Sequence, residues 1–363
     1  MRITFVLPCY PWRPIGAFRV VYEYANRIVA RGHDVAIVHA RRLRSASRWE
    51  PADLYQKARH AAGRARDALL TPRIRWHDFD ERVQLLYVRE PTPEAVPDGD
   101  AVFVTAWDTV EYVCRYPSQK GKKFHLVQER DLHGDLLEAD VQVYVNLVHK
   151  VVVSEFLLEE GLRRGWGEMS YIQNGIDRSR FRLVQPVTNR PKTVAMLFSM
   201  AARKGSEDGL RALCKAKEKH PDLRAILFGV GRTPPHLPAW IRYYRDPSQD
   251  YLVNSIYNGC RIFLSASLTE GFCLPPAEAM ACGCAVVTTD CGGNRDYARQ
   301  GLNALISPPA RPELLAQNLI RVLDDDGLRV ALAESGSTPI PQLSWDFSTE
   351  KLLSLLLRQR NES

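Results

Sequence analysis

The feature that most constrains the fold of this chain is a repeated alternation of short apolar runs with segments of helical periodicity. The first example is Ile3 to Leu7, an apolar run followed by a loop rich in proline and by apolar side chains at helical spacing up to Gly32. The next apolar run, Val35 to Val38, completes a strand–helix–strand unit. Short apolar runs with helices between them are typical of buried parallel strands, so the pattern predicts an α/β fold with doubly wound sheets.

The alternation occurs in two series, and a length of 363 residues also favours two domains. Arg182 to Lys192 is polar and contains prolines, which predicts an interdomain linker between the series. We therefore expect a Rossmann-like domain over residues 1–183, a second over 184–342, and a terminal helix over 343–363 that packs across the domains. Further strands are expected at Gln84 to Val88, Ala101 to Thr105, Phe124 to Val127, Val151 to Val153, Thr193 to Phe198, Leu223 to Phe228, Arg261 to Ser265 and Ala285 to Thr288.

The charge of the chain is concentrated in one segment. The net charge is +7, and residues 41–75 contain ten Lys or Arg and three acids, which accounts for all of it (10 − 3 = +7). A protein that is otherwise neutral is not expected to bind nucleic acid in general. We hypothesise that the basic segment faces an anionic acceptor or makes peripheral contact with an anionic membrane, and the alternative is a solvated insertion with no partner.

The cysteines and the acidic clusters do not suggest a metal site. Most of the eight cysteines lie in apolar runs, which predicts buried free thiols, Cys9 and Cys284 among them, and a cytoplasmic location. Cys282 and Cys291 have no CxxC partner or histidine nearby, so zinc is not expected. Asp324 to Asp326 end a helical run and are expected to be solvated.

The segment from Ser265 to Gly293, SASLTEGFCLPPAEAMACGCAVVTTDCGG, gives the strongest chemical signal. It follows a predicted strand, and ligands of parallel α/β sheets bind beyond the carboxyl ends of the strands. A helix is expected to begin near Ala277, and free amides before a helix suit a diphosphate. Carboxylates such as Glu270 and Glu278 suit the hydroxyls of a sugar and a ribose. An ordinary acidic helix cap is the alternative interpretation.

This segment closely resembles the donor-site signature of glycosyltransferase family 4, whose members have the GT-B fold. Three more segments resemble elements of that family in the same order: RIVARGHDVAIVHA (27–40), QNGIDRSRF (173–181) and RKGSEDGL (203–210). The resemblance covers essentially the whole chain. It implies two Rossmann-like domains that face each other across a donor-binding cleft. It also implies a retaining enzyme that moves a sugar from a nucleoside-diphosphate sugar to a hydroxyl acceptor.

The resemblance also implies roles for individual residues. Glu270 would lie beside the donor sugar, Glu278 would hold the ribose, and Lys204 would neutralise the diphosphate. The family's arginine usually stands about five residues before this lysine, where the chain has Ser199 and Met200, so Arg203 is the expected substitute. No protein nucleophile, metal or further cofactor is expected. The remaining donor-binding candidates are Gly16, Gly229, Gly271, Phe272, Cys273 and Leu274.

The acceptor side departs from the family pattern. A histidine commonly follows the middle strand of the first domain, whereas this chain has Gln128 and Glu129 there, with His125 inside the predicted strand. Trp107 and Asp108, after another strand, are further acceptor-side candidates. Some bacterial deoxysugar transferases of the family carry a similar glutamine–acid pair and a similar NRDYA segment, which points to rhamnose as one donor sugar. The alternative functions are a nucleotide-sugar hydrolase or epimerase, and a binding module without activity.

Overall fold

The computed structural model describes residues 1–41, 43, 74–130 and 147–361. Of the basic segment at 41–75, these ranges include only Arg41, Leu43, Ile74 and Arg75. Most residues of that segment, on which the hypothesis of an anionic partner rests, therefore lie outside the described residues.

The amino-terminal half of the chain forms a parallel sheet. Its strands are β1 (Arg2–Leu7), β2 (Asp34–Ala40), β3 (Gln84–Val88), β4 (Ala101–Val104), β5 (Lys122–Val127), β6 (His149–Val152) and β7 (Met169–Tyr171). Among the described residues the strand order is β3-β2-β1-β4-β5-β6-β7. The strand β1 lies in the middle, where Ile3 pairs with Val35 of β2 and with Ala101 of β4. Its side chains from Ile3 to Leu7 are buried on both faces, as expected for a parallel strand covered by helices.

In the described ranges, α-helices follow three of these strands. They are α1 (Gly16–Ala30) after β1, α2 (Trp107–Cys114) after β4 and α3 (Glu155–Arg164) after β6. The start of α3 is fixed by Ser154, whose hydroxyl oxygen accepts a hydrogen bond from the Leu157 amide at 3.2 Å. Its end is fixed by Gly165, which has a left-handed φ of 67°. Each helix therefore begins at the carboxyl edge of the sheet.

The carboxyl-terminal half forms a second parallel sheet. Its strands are β8 (Thr193–Leu197), β9 (Arg224–Gly229), β10 (Ile241–Arg245), β11 (Ile262–Ser265), β12 (Ala285–Thr289) and β13 (Ala304–Ser307). Their order is β10-β9-β8-β11-β12-β13. Numbered from its own first strand, this sheet has the order 3-2-1-4-5-6, which is the order of dinucleotide-binding doubly wound folds and also that of the first six strands of the other sheet. The prediction of two doubly wound α/β sheets is confirmed.

The second half contains the helices α4 (Ser206–Lys219), α5 (Leu274–Ala281), α6 (Pro312–Asp324), α7 (Asp326–Ser337) and α8 (Trp345–Asn361). The prediction that α5 begins near Ala277 is wrong by three residues, because the helix already begins at Leu274. Pro275 and Pro276 occupy its first turn, where the fixed φ of proline suits the helix. The lack of an N–H costs nothing there, because amides of the first turn have no acceptor within the helix.

The predicted linker from Arg182 to Lys192 contains no helix or strand, but one of its side chains is buried and hydrogen-bonded to other parts of the second unit. Arg190 is buried, and its guanidinium donates hydrogen bonds to the carbonyl oxygens of Tyr257, Cys260 and Cys282 at 2.7–3.1 Å. A buried cation needs such acceptors because burial removes its water. The segment therefore packs within the second unit.

The described residues fall into two compact units, one within 1–126, 133–149 and 360–363, the other within 127–132 and 150–359. The domain boundaries predicted at 183 and 342 stay predictions. All eight cysteines have free thiols, but the prediction that Cys9 is buried is wrong, because it lies exposed in the loop after β1. No helix of the described residues is long and apolar enough to cross a membrane.

Candidate functional site

The candidate site lies in the loop that joins β11 to α5. The strand ends at Ser265, and the loop then runs to Cys273 at the start of the helix. Cys273 has a φ of 65°, a left-handed value that costs a non-glycine residue conformational energy. Residues held in such conformations cluster at binding sites, where the surrounding structure maintains them. A small pocket opens beside this loop, and Lys204, Ser267 and Cys273 are among the residues that line it.

Glu270 occupies the centre of this loop and is paired with two cations. Its side chain is only 8% exposed. One carboxylate oxygen lies 2.7 Å from the Lys204 Nζ, and the other accepts a hydrogen bond from the Arg203 Nη1 at 3.0 Å. The Arg203 Nη2 donates to the carboxylate of Glu129 at 3.0 Å. Three residues that the sequence assigned to the site, and one acceptor-side candidate, therefore form a single network of ion pairs.

The backbone amides of residues 271–273 have no acceptor among the described residues. The Glu270 amide itself donates to the Cys291 carbonyl at 2.9 Å. Within the described parts of the chain, the amides of Gly271, Phe272 and Cys273 donate no hydrogen bond to the protein, although all three residues are buried. Buried amides are nearly always paired, with protein, water or a ligand. Three consecutive amides beside a lysine and an arginine are therefore suited to bind an anion.

Glycines allow three backbone segments to lie in direct contact at this point. A Cβ on Gly271 would lie 1.9 Å from the carbonyl oxygen of Gln128, and a Cβ on Gly293 would lie 2.3 Å from the backbone of Gly271. Gly205 is similar, because its Cβ would lie 2.0 Å from the Ala266 carbonyl oxygen. Real Cβ atoms do not approach backbone atoms this closely. We call the three segments around Gln128, Gly271 and Gly293 the glycine stack.

Lys204 and Arg203 stand in a short turn before α4. Gly205 follows them with a φ of 56°, and the Ser206 hydroxyl oxygen accepts a hydrogen bond from the Ser199 amide at 2.9 Å. The Leu268 amide donates to the Arg203 carbonyl at 2.7 Å, which ties this turn to the loop after β11. The cations are therefore held next to Glu270 by the backbone as well as by their own ion pairs.

Glu278 lies on α5, five residues after Cys273. It is 2% exposed, and one of its carboxylate oxygens accepts a hydrogen bond from the Tyr257 hydroxyl at 3.3 Å. Sequence reasoning did not identify Tyr257, because nothing in the spacing connects it with α5. Gly229 ends β9, and its Cβ would lie 2.3 Å from the Phe198 carbonyl oxygen, so the loop after β9 runs close to the end of β8.

The acceptor-side candidates belong to different units of the structure. Gln128 and Glu129 directly follow β5 and belong to the second unit, and His125 is buried inside β5, as expected. Trp107 and Asp108 open α2 in the first unit. Gly16 opens α1 in the same unit, with open space where its Cβ would be. The roles of these residues stay predictions.

Two charged groups near the site were missed by sequence reasoning. Glu160 on α3 is buried and paired with Arg130, Arg163 and Arg164. Its pKa is lowered to about 2, chiefly by the hydrogen bonds from Arg163. Asp296 shows the opposite shift, because burial raises its pKa to about 6. Among the described residues, no group of three His, Cys, Asp or Glu side chains is arranged to hold a metal ion.

The chain is similar in sequence to known glycosyltransferases. Residues 177–338 match the family model of glycosyl transferases group 1. The chain is 26% identical over 193 residues to a D-inositol 3-phosphate glycosyltransferase of Corynebacterium glutamicum, covering 49% of this chain and 46% of that protein. It is 24% identical over 225 residues to a phosphatidyl-myo-inositol mannosyltransferase of Mycobacterium tuberculosis, covering 58% and 60%. The chain thus spans about half the length of these relatives.

The fold of the whole chain also matches a solved structure. Anabaena HepE, crystallised in complex with UDP and glucose, superposes with a TM-score of 0.72 at 15% identity and covers 99% of this chain and 100% of its own. With its two parallel-sheet α/β domains, the chain has the GT-B fold that the sequence predicts.

Proposed function

We propose that this chain is a retaining glycosyltransferase of family 4, which transfers a sugar from a nucleoside-diphosphate sugar to a hydroxyl acceptor. The observation that carries the proposal is the set of amides of the buried residues 271–273, which have no acceptor within the described protein and directly follow Glu270, the partner of Lys204 and Arg203. The match to glycosyl transferases group 1 and the UDP and glucose bound by HepE support it.

The donor diphosphate is the group that best fits these amides and cations. Negative charge grows on the leaving diphosphate during sugar transfer, and preorganised donors aimed at such charge contribute about 2.7–4 kcal/mol each. Lys204 and Arg203 supply positive charge, and the amides supply dipoles that need no rearrangement. In this proposal Glu270 orients the hydroxyls of the donor sugar and Glu278 those of the ribose.

The acceptor attacks the face of the sugar that the diphosphate leaves, so that the anomeric configuration is retained without a protein nucleophile. We propose Gln128 and Glu129 as the groups that face the acceptor, with Trp107 and Asp108 as further candidates. A deoxysugar such as rhamnose remains the proposed donor sugar. The names of the two relatives, which refer to inositol 3-phosphate and phosphatidyl-myo-inositol, favour an acceptor that carries a negative charge. We place the reaction in the cytoplasm, with peripheral membrane contact through residues 41–75.

A thermal-shift panel tests the donor site directly. UDP, GDP, ADP and dTDP, and their sugar conjugates, are added separately, and a true ligand at about 100 times its Kd should stabilise the protein by about 2.7 kcal/mol. Lys204→Met should abolish the shift, since it removes one cation. A panel in which no nucleoside diphosphate shifts Tm would contradict the proposal.

A turnover assay separates transfer from the alternatives. Consumption of the donor only when an acceptor is present supports transfer. Equal consumption without an acceptor would identify a hydrolase or epimerase, and binding without any turnover would identify a binding module.

A further inference from the structure

The loop formed by Gln128, Glu129 and Arg130 touches three different parts of the second unit. The Gln128 carbonyl packs against Gly271 in the glycine stack. The Glu129 carboxylate accepts a hydrogen bond from Arg203 at 3.0 Å. The Arg130 Nε donates to the buried carboxylate of Glu160 at 2.9 Å. Three successive residues are thus fixed at three separate points.

Glu160 is a buried carboxylate that anchors this loop. Its side chain is 8% exposed, and one of its oxygens lies within 2.5–2.9 Å of nitrogens from Arg130, Arg163 and Arg164. These cations lower the pKa of the Glu160 carboxyl to about 2, so it is charged at neutral pH. Arg163 and Arg164 come from the same helix, whereas Arg130 comes from the loop. The ion pair of Arg130 is therefore the one that fastens the loop to α3.

We infer that Glu160 and Arg130 are positioning residues for sugar transfer, which act through Glu129 on the guanidinium of Arg203. The inference rests on the proposed function. Arg203 is 41% exposed, and a long, partly exposed side chain needs fixed partners to keep one orientation. Glu270 binds the Nη1 of the Arg203 guanidinium, and Glu129 binds its Nη2. Glu129 is itself 56% exposed and keeps its place because Gln128 and Arg130, on either side of it, are fixed.

Arg163 provides a matched control, because it binds the same Glu160 carboxylate but does not belong to the loop. Arg130→Ala should lower kcat/KM for the nucleotide sugar by roughly tenfold to a hundredfold, since a misplacement of ~1 Å can cost about a hundredfold. Arg163→Ala should leave kcat/KM within about twofold of the wild type, since Arg130 and Arg164 still hold the Glu160 carboxylate and the loop keeps its contact. Both variants should keep Tm within about 2 °C of the wild type, because neither side chain is part of the core. Arg130→Lys, which keeps the charge, should recover part of the loss.

A double-mutant cycle with Glu129→Gln tests the route of the effect. If Arg130 acts through Glu129, Arg130→Ala should change kcat/KM by less than about twofold once Glu129→Gln is present, because coupled residues are not additive. Full additivity of the two substitutions would overturn the inference, as would equal effects of Arg130→Ala and Arg163→Ala.

Hydrogen exchange gives a readout that needs no ligand and no turnover. In the ligand-free protein, Arg130→Ala should speed exchange of the amides in 128–130 and 268–273, and Arg163→Ala should not. Unchanged exchange in Arg130→Ala would overturn the inference even if the protein proved not to be a glycosyltransferase. Conversely, Arg130→Ala could exchange faster while the wild type binds no nucleotide. That result would support the role of Arg130 in holding the loop and refute only the proposed function.

Discussion

At the scale of single residues, the two glutamates of the donor motif have different surroundings. Glu270 is paired with Arg203 and Lys204, whereas Glu278 is buried on α5 beside the Tyr257 hydroxyl. Glu270 therefore holds two cations that a diphosphate would need, whereas Glu278, eight positions later, contacts a hydroxyl. This difference makes their effects on nucleotide binding distinguishable.

We predict that Glu270→Ala spares binding of the bare nucleoside diphosphate and damages transfer, because it frees two cations for the diphosphate but removes the partner of the sugar hydroxyls. Glu278→Ala should weaken binding of the diphosphate by about tenfold or more, since loss of a hydrogen bond to a charged group costs about 1.5–3 kcal/mol. Calorimetry with the bare nucleotide measures both. An equal loss of affinity in the two variants would contradict the separate roles.

Asp296 gives the protein a specific dependence on pH. Its carboxylate accepts hydrogen bonds from the Tyr171 hydroxyl at 2.8 Å and from the Glu155 amide at 3.2 Å, yet burial dominates and raises its pKa to about 6. The native state therefore holds this proton more tightly than the unfolded state, where the pKa is about 3.9. The stability that results is fully present below pH ~4 and is lost as the pH rises to ~6, by up to about 3 kcal/mol.

We predict that Asp296→Asn removes this dependence, because the amide keeps the size of the protonated acid and cannot ionise. Urea unfolding at several pH values between ~4 and ~6 measures it. The variant and the wild type should agree near pH 4 and differ increasingly above it, with the variant more stable. Parallel curves over the whole range would show that Asp296 does not carry the effect.

Sequence reasoning identified the residues of the central ion-pair network but not all of its contacts. Glu270 and Lys204 were expected together from the family motif, and Arg203 as the substitute for its arginine. The structure places a nitrogen of each cation within 3.0 Å of a Glu270 carboxylate oxygen. The contact between Arg203 and Glu129, and the one between Arg130 and Glu160, join chain positions that no spacing rule relates. Such pairs are decided by how loops pack on the sheet, and a single sequence does not contain that information directly.

At the scale of elements, the strands inside the two described sheets were predictable, and three of the four edge strands were not. The strand β3 was predicted to the residue, and most others within two residues. The strands β7, β10 and β13 were missed. β7 has only three residues, and β10 is Ile-Arg-Tyr-Tyr-Arg, in which no apolar run stands out. All three are edge strands, and β7 and β10 are only partly buried, which requires no continuous apolar run. The strand β13 is Ala-Leu-Ile-Ser and mostly buried, so it was missed despite its apolar sequence.

We predict that Gly271→Ala lowers kcat/KM by about tenfold or more, because its Cβ would lie 1.9 Å from a backbone oxygen and would force the loop away from Gln128. Gly231→Ala is the matched control, since a Cβ there meets nothing within 4 Å. Steady-state kinetics and a melting curve of each variant test this. Normal kinetics in Gly271→Ala would mean that the contact in the glycine stack does not matter for transfer.

At the scale of the whole molecule, positive side chains rather than acidic clusters mark the proposed diphosphate site. We predict that transfer does not depend on a divalent metal, because Lys204 and Arg203 supply the charge that a metal ion provides in other enzymes. An excess of EDTA should leave the rate within about twofold of its value without chelator. A loss of about a hundredfold that Mg²⁺ or Mn²⁺ restores would contradict this.

The glycine stack limits how this protein can be re-engineered. Its three segments come from distant parts of the chain, around residues 128, 271 and 293, yet their backbones touch without an intervening side chain. Acceptor preference can be changed by exchanging one of these loops for that of a relative, but the new loop has a different backbone path. The other two segments contact it through backbone atoms, so they cannot adjust to it by rotating a side chain. Chimeras should therefore transplant all three segments as one cassette, and libraries that randomise only the loop after β5 should yield few active clones.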